Sequence, residues 1–95
     1  MPAIARLADP ISCGDNVGQG SNNVFCNFLP IARATQDMTA GHCYPPTLIT
    51  SGSSTVFVNN KPIAMVGSPI EVHCCGIPCH GGSVAVGSSD VNVGS

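Results

Sequence analysis

The apolar and polar positions of this chain never settle into a helical period. Apolar residues alternate with polar ones over a few positions, and then Gly, Ser, Asn or Pro breaks the run. Alternation of that length predicts short, half-buried strands joined by turns. The pattern also repeats. Residues 19–33 (Gln19-Gly20-Ser21-Asn22-Asn23-Val24-Phe25-Cys26-Asn27-Phe28-Leu29-Pro30-Ile31-Ala32-Arg33) match residues 51–65, an offset of 32 residues from 19 to 51. A third copy begins at Val86-Gly87-Ser88-Ser89-Asp90-Val91-Asn92-Val93. Its second half stands at the other end of the sequence, where Ala3-Ile4-Ala5-Arg6 corresponds to Pro30-Ile31-Ala32-Arg33. A repeat divided between two distant segments predicts that they pair. The expected fold is therefore all-β: three pseudo-threefold-related β-hairpins in a closed body rather than an extended solenoid.

Each copy reads as a hairpin, with Val-Phe-Val-Asn as the outgoing strand and Asn-x-x-Pro as the turn. The repeats cover about 19–37, 51–69, and 86–95 completed by 3–9, within one domain spanning 1–95. Aligned copies predict two core positions per hairpin. Val24, Val56 and Val91 are equivalent, as are Cys26, Val58 and Val93, and the two positions share one strand face. Phe25, Phe57 and Asn92 face the other way. Cys26, standing where the other copies have Val, is expected to be a core thiol.

Composition changes this picture in two ways. Ninety-five residues bury a limited core, so a metal, disulfides or a partner is expected to help hold the fold. Only 8% of residues are charged while 43% are apolar, against roughly 25% charged in an ordinary domain. Either another protein covers part of the surface, or Ser, Asn, Thr and Gly coat it. The net charge of -2 leaves no basic patch, which argues against nucleic-acid binding. No apolar run approaches the length of a membrane span. The start, Met1-Pro2-Ala3-Ile4-Ala5-Arg6, lacks the features of a signal peptide. The expectation is synthesis in the cytoplasm, where thiols stay reduced.

The segments between hairpins differ in length and carry the reactive side chains. The first holds Cys13. The second holds His42 and Cys43. The third holds His73, Cys74, Cys75, Cys79 and His80. Six cysteines are compatible with a disulfide framework, but their clustering with histidine favours a metal. Zinc takes four N or S ligands in a tetrahedron. His73 and Cys75 are two apart and share a side in an extended segment, which turns Cys74 away. The set His42, His73, Cys75 and His80 gives a closed, structural site built from two loops. Cys79 competes for the fourth position, as does Cys13, which matches His80 when both are counted back from the repeat serines. Cys43 and Cys74 are expected to be bystanders. A lone loop histidine is usually just solvated, and Glu71 reads as a surface carboxylate before it reads as a general base. A structural zinc contributes roughly 10–16 kcal/mol of apparent binding free energy in small domains, enough to couple metal binding to folding.

These residues together resemble the PAAR-repeat family. The matching elements are Gly52-Ser53-Ser54-Thr55-Val56-Phe57-Val58-Asn59-Asn60-Lys61-Pro62-Ile63-Ala64 with its partner copies, Gly41-His42-Cys43-Tyr44-Pro45-Pro46, and His73-Cys74-Cys75 leading to His80-Gly81-Gly82. They cover essentially the whole chain. The family often follows its Pro-x-Ala-Arg with Val-Gly-Asp. Here those positions read Leu7-Ala8-Asp9, Ala34-Thr35-Gln36 and Val66-Gly67-Ser68, and Arg33 is replaced by Met65 in the second copy. The resemblance implies a cone whose base caps a trimeric β-helical spike, one copy on each trimer. Its apex would carry zinc, rather than iron, on three histidines and one cysteine: His42, His73, Cys75 and His80. It implies a mechanical role, with no catalytic residue, at the tip of a phage tail spike or type VI secretion spike. Such a tip is assembled in the bacterial cytoplasm and touches the target membrane transiently. The stand-alone length and the divergent Val-Gly-Asp positions lean toward a phage virion, and a bare tip with no fused toxin domain is expected. The sequence leaves two other classes open: a small zinc hydrolase or deaminase-like enzyme using Glu71, and a disulfide-stapled secreted binding domain.

Overall fold

The computed structural model describes residues 2–41, 45–74 and 79–93, with residue 80 described by its backbone only. Its named elements are β1 (Phe25–Cys26), β2 (Leu29–Pro30), β3 (Phe57–Val58), β4 (Lys61–Pro62), β5 (Pro69–Cys74) and β6 (Cys79–Ser83). They form three antiparallel hairpins, β1–β2, β3–β4 and β5–β6, and no helix occurs among the described residues. The first two hairpins turn on Asn27-Phe28 and Asn59-Asn60, all four residues with positive φ. Two consecutive left-handed residues make the turn whose twist matches that of the strands. Asn suits this conformation, but Phe28, at φ 67°, does not.

The segments divided between the two ends of the repeat do pair. Ile4 N donates to Val91 O at 3.1 Å, Val93 N to Pro2 O at 2.8 Å, and Ser88 N to Ile4 O at 2.8 Å. These reproduce bonds inside the complete copies, where Ile31 N donates to Val24 O and Ser21 N to Ile31 O. The three units then close on one another around an axis. Ala5 N donates to Ala64 O, Ala64 N to Ala32 O, and Ala32 N to Ala5 O, each at 3.0 Å. All three alanines are fully buried. A cyclic ring of three equal bonds is the mark of pseudo-threefold symmetry. It also explains the alanine, because a larger side chain on each copy would meet its two counterparts near the axis.

Core side chains stack in triads along that axis. On one side of the alanine ring lie Ile4, Ile31 and Ile63, then Cys26, Val58 and Val93 near the hairpin turns. On the other lie Val17, Ile49 and Val84, then Ile11 and Ile70, with Thr39 as the third member. Cys26 is a buried thiol, as expected from its valine counterparts. The position two residues earlier differs from expectation. Val24 is half-buried, while Val56 and Val91 are 36% and 37% exposed. The reason is local: each backbone N–H here bonds a serine hydroxyl (Ser21, Ser53 or Ser88), so the chain is still turning into the hairpin and the residue sits at the rim.

Two of the three units carry a buried ion pair. Asp9 takes both Arg6 Nε and Nη2 at 3.0 Å and the Arg6 backbone N–H at 2.7 Å. Asp37 holds Arg33 in the same way. Sequence alignment put Gln36 at that position. The structure puts Asp37 there, because its turn takes one extra residue, and Asp37 N donates to Arg33 O. The third unit replaces both members. Met65 stands for the arginine and Ser68 for the aspartate, and Ser68 Oγ accepts the same backbone N–H at 3.0 Å. A buried carboxylate without its arginine would be costly, so the joint replacement keeps the turn and removes both charges.

Candidate metal centre

One end of the axis ends in the hairpin turns. At the other, each unit sends out a loop from the Ile11, Thr39 and Ile70 layer. The threefold frame holds at the roots of these loops: Ser12 N donates to Ser83 O, Ala40 N to Asn16 O and Glu71 N to Leu48 O. Beyond the roots the symmetry stops. The first loop is residues 12–14, the second 40–46 and the third 71–81. The first carries Cys13 alone, half-buried beside Gly82. It is short enough that Cys13 aligns with His80 when counted back and with Val72 when counted forward. All the histidines fall on the two longer loops.

Side-chain bonds tie the three loops to one another. Gly41 N donates to Asp15 Oδ2 at 3.2 Å, which anchors the residue before His42 to the first loop. Leu48 N donates to Glu71 Oε1 at 3.1 Å, linking the second loop to the third. Ser83 N donates to Ser12 Oγ at 3.1 Å, linking the third to the first. Glu71 thus has a structural role. Asp15, buried at the loop root, is a supporting residue that the sequence pattern did not single out.

The third loop is the hairpin β5–β6, and its register contains the feature that aims the site. Pro69 pairs with Ser83 and Ile70 with Gly82. The ladder then slips by one, so that His73 pairs with His80 and Cys74 with Cys79. A bulge adds one residue to β5 between Ile70 and His73. Strict alternation would have turned Val72 inward with Ile70. With the bulge, Val72 is 74% exposed and His73 only 6%. Glu71 and Val72, adjacent and both exposed, mark where the alternation breaks.

His73 Nδ1 lies 3.0 Å from the Glu71 carbonyl oxygen. A carbonyl only accepts, so the ring carries its proton on Nδ1 and presents a lone pair at Nε2. That is the tautomer a metal-binding histidine needs, fixed by the hydrogen bond of its other nitrogen. The register brings His80 opposite His73, which fits a pair of histidine ligands from one hairpin. His42 and Cys75 lie outside the described residues. Among the described residues, no three His, Cys, Asp or Glu side chains come together as a metal set. Cys74, expected to be a bystander, is joined to Cys79 by a disulfide. That same bond removes Cys79 from competition for the metal while it persists. The preference for metal over disulfides drawn from the clustering left out this bond.

A family model described as the PAAR motif matches residues 9–78, most of the chain. The chain belongs to the PAAR-motif family. The match takes in the first complete repeat, the second, and the loops that carry His42 and His73. No curated protein matches the chain. PAAR-motif membership agrees with the all-β fold of short antiparallel hairpins and is consistent with a structural spike-tip protein of a contractile injection system.

Proposed function

We propose that this PAAR protein is the structural tip of a contractile injection spike, with its hairpin end seated on a trimeric β-helical spike protein. The observation that carries this reading is the cyclic Ala5–Ala64–Ala32 ring and the triads stacked on it. A pseudo-threefold body offers each chain of a true threefold partner an equivalent unit. Around the hairpin turns, Phe25 and Phe57 are each 56% exposed and Phe28 is 99% exposed. Aromatic side chains bury large areas at interfaces and serve as anchors. Phe28 also holds a left-handed conformation that disfavours a bulky residue, at a cost of roughly 1–2 kcal/mol. Its counterpart Asn60 meets the same geometry more cheaply, so the phenylalanine makes sense as a contact surface rather than as a turn residue.

At the opposite end, the loops close on a structural zinc held by His42, His73, Cys75 and His80. Zinc there supplies a cross-link between two loops of unequal length and no reactivity. The His73 tautomer and the His73–His80 register support this assignment. The apex so closed is the part that meets the target membrane, in a phage tail or a type VI secretion spike. The test is native mass spectrometry of this protein co-expressed with the β-helical spike of its own machine, together with elemental analysis. One copy per spike trimer and about one zinc per chain are expected. Absence of a 1:3 complex overturns the capping role. Absence of zinc overturns the apex alone.

A further inference from the structure

The Cys74–Cys79 pair sits where a covalent bond has the most leverage. Beyond the bulge, among the described residues, the pairs His73–His80 and Cys74–Cys79 continue the β5–β6 ladder, cut off by the slip from Pro69–Ser83 and Ile70–Gly82. Two short-range pairs are a weak hold for a hairpin end. Adjacent pairs in an antiparallel ladder face opposite sides. His73 is accordingly buried while Cys74 is exposed, and Cys79 is exposed beside it. The sulfurs therefore lie on the solvent side of the hairpin, open to small thiols and disulfides, behind a buried histidine.

We infer that Cys74–Cys79 is a reversible redox clamp on the apical hairpin, formed by exchange with disulfide reagents and opened by thiols. In closing, a thiolate of one cysteine attacks a small disulfide and expels one thiol. The second cysteine then attacks the mixed disulfide and expels the other. The protein loses two protons and two electrons, and the reagent gains them as two thiols. Closing fixes the register that sets His73 opposite His80 and removes the Cys79 thiol from the ligands open to a metal. Opening leaves the hairpin end on two backbone pairs and returns Cys79 as a competing thiolate. A tip made among thiols would thus stiffen on meeting an oxidising medium. The clamp needs no metal to act.

The test uses metal-free protein first, so that it stands apart from the zinc assignment. Full-length protein is equilibrated in glutathione buffers from fully reduced to fully oxidised, acid-quenched, alkylated and mapped by peptide mass. Melting is followed in parallel. A Cys74–Cys79 linkage that forms and opens reversibly is expected. Opening should lower Tm by roughly 8–15 °C, the size expected for a short closed loop in a domain of this length. The Cys74→Ser/Cys79→Ser variant should melt like the reduced protein at every redox poise. Zinc-loaded protein is then challenged with a chelator, and reduction should speed zinc loss at least tenfold in the parent but not in the variant. Free thiols at both positions in oxidised glutathione, or a Tm that ignores the redox poise, would overturn the clamp. The shift in metal-free protein supports the clamp whatever the zinc content of the protein as purified.

Discussion

The hairpin body and the apical loops are built by opposite rules. In the body, most structural features recur in all three units: the alanine ring, the Ser21, Ser53 and Ser88 turns, and the Val17, Ile49 and Val84 layer. At the apex the loops leave equivalent roots and share neither length nor composition. Repetition suits a surface that must meet a symmetric partner and a core that must be filled with few residues. A point on the axis cannot be made by repetition, because three identical loops would each need the same central space. Unequal loops resolve this, with the shortest yielding room to the other two. The body can therefore be altered symmetrically and stay a body, whereas the apex depends on particular residues.

Four changes test that contrast. The largest effect is expected from Arg33→Met, which strands the buried Asp37 carboxylate at a cost of about 3 kcal/mol. Adding Asp37→Ser copies the arrangement of Met65 and Ser68 and should restore most of the loss in urea unfolding. Equal stability of the single and double variants would show that the pair does not hold the turn. Next, Ala32→Val places extra methyl groups at the axis and should cost roughly 2 kcal/mol by overpacking. A substitution at exposed Val72 on the apical hairpin, Val72→Thr, should stay within about 0.5 kcal/mol. A smaller effect of opposite sign is expected at the base. Phe28→Asn relieves the left-handed strain and should raise stability by about 1 kcal/mol while weakening capture of the spike trimer. A variant that is both more stable and fully competent for binding would remove Phe28 as an anchor.

The smallest effect concerns acid. Hydrogen bonds from Asn27 first, and Ser88 second, hold the exposed Asp90 carboxyl below its ordinary range. A lowered folded-state pKa gives stability that is present at neutral pH and lost as pH falls through that lowered value. Asp90→Asn should therefore lower the plateau slightly and evenly from about pH 5 to 8 and remove the loss at the acid end, so that the two profiles converge in acid. A difference from the parent that varies with pH near neutrality would mean that the carboxylate acts otherwise.

The body was legible in the sequence because repetition makes the chain its own comparison. The offset between copies placed Cys26 in the core and paired Ile4 with the Val91 strand before any coordinates. The same logic failed where copies differ by one residue. Asp37 fills its role one position late, and the bulge before His73 shifts alternation by one, and neither can be read from spacing alone. Val56 and Val91 misled for another reason. Their apolar character is shared, but the serine turns place them at the rim. At the apex, the clustering of histidine with cysteine is the sequence basis of the zinc proposal. The Cys74–Cys79 bond was hidden because it depends on register, which only the folded hairpin fixes.

The alanine ring has a further consequence, in time rather than space. Ala5 belongs to a circle whose other members are Ala32 and Ala64, and Arg6 reaches Gly87 across 81 residues of sequence. The divided unit is not finished by its neighbours along the chain, and Ile4, although it bridges Met65, lacks its hairpin partner until Val91 is available. Contacts so distant in sequence are slow to form. Folding should thus be a single late event, with synthesis almost complete before the first residues find their place.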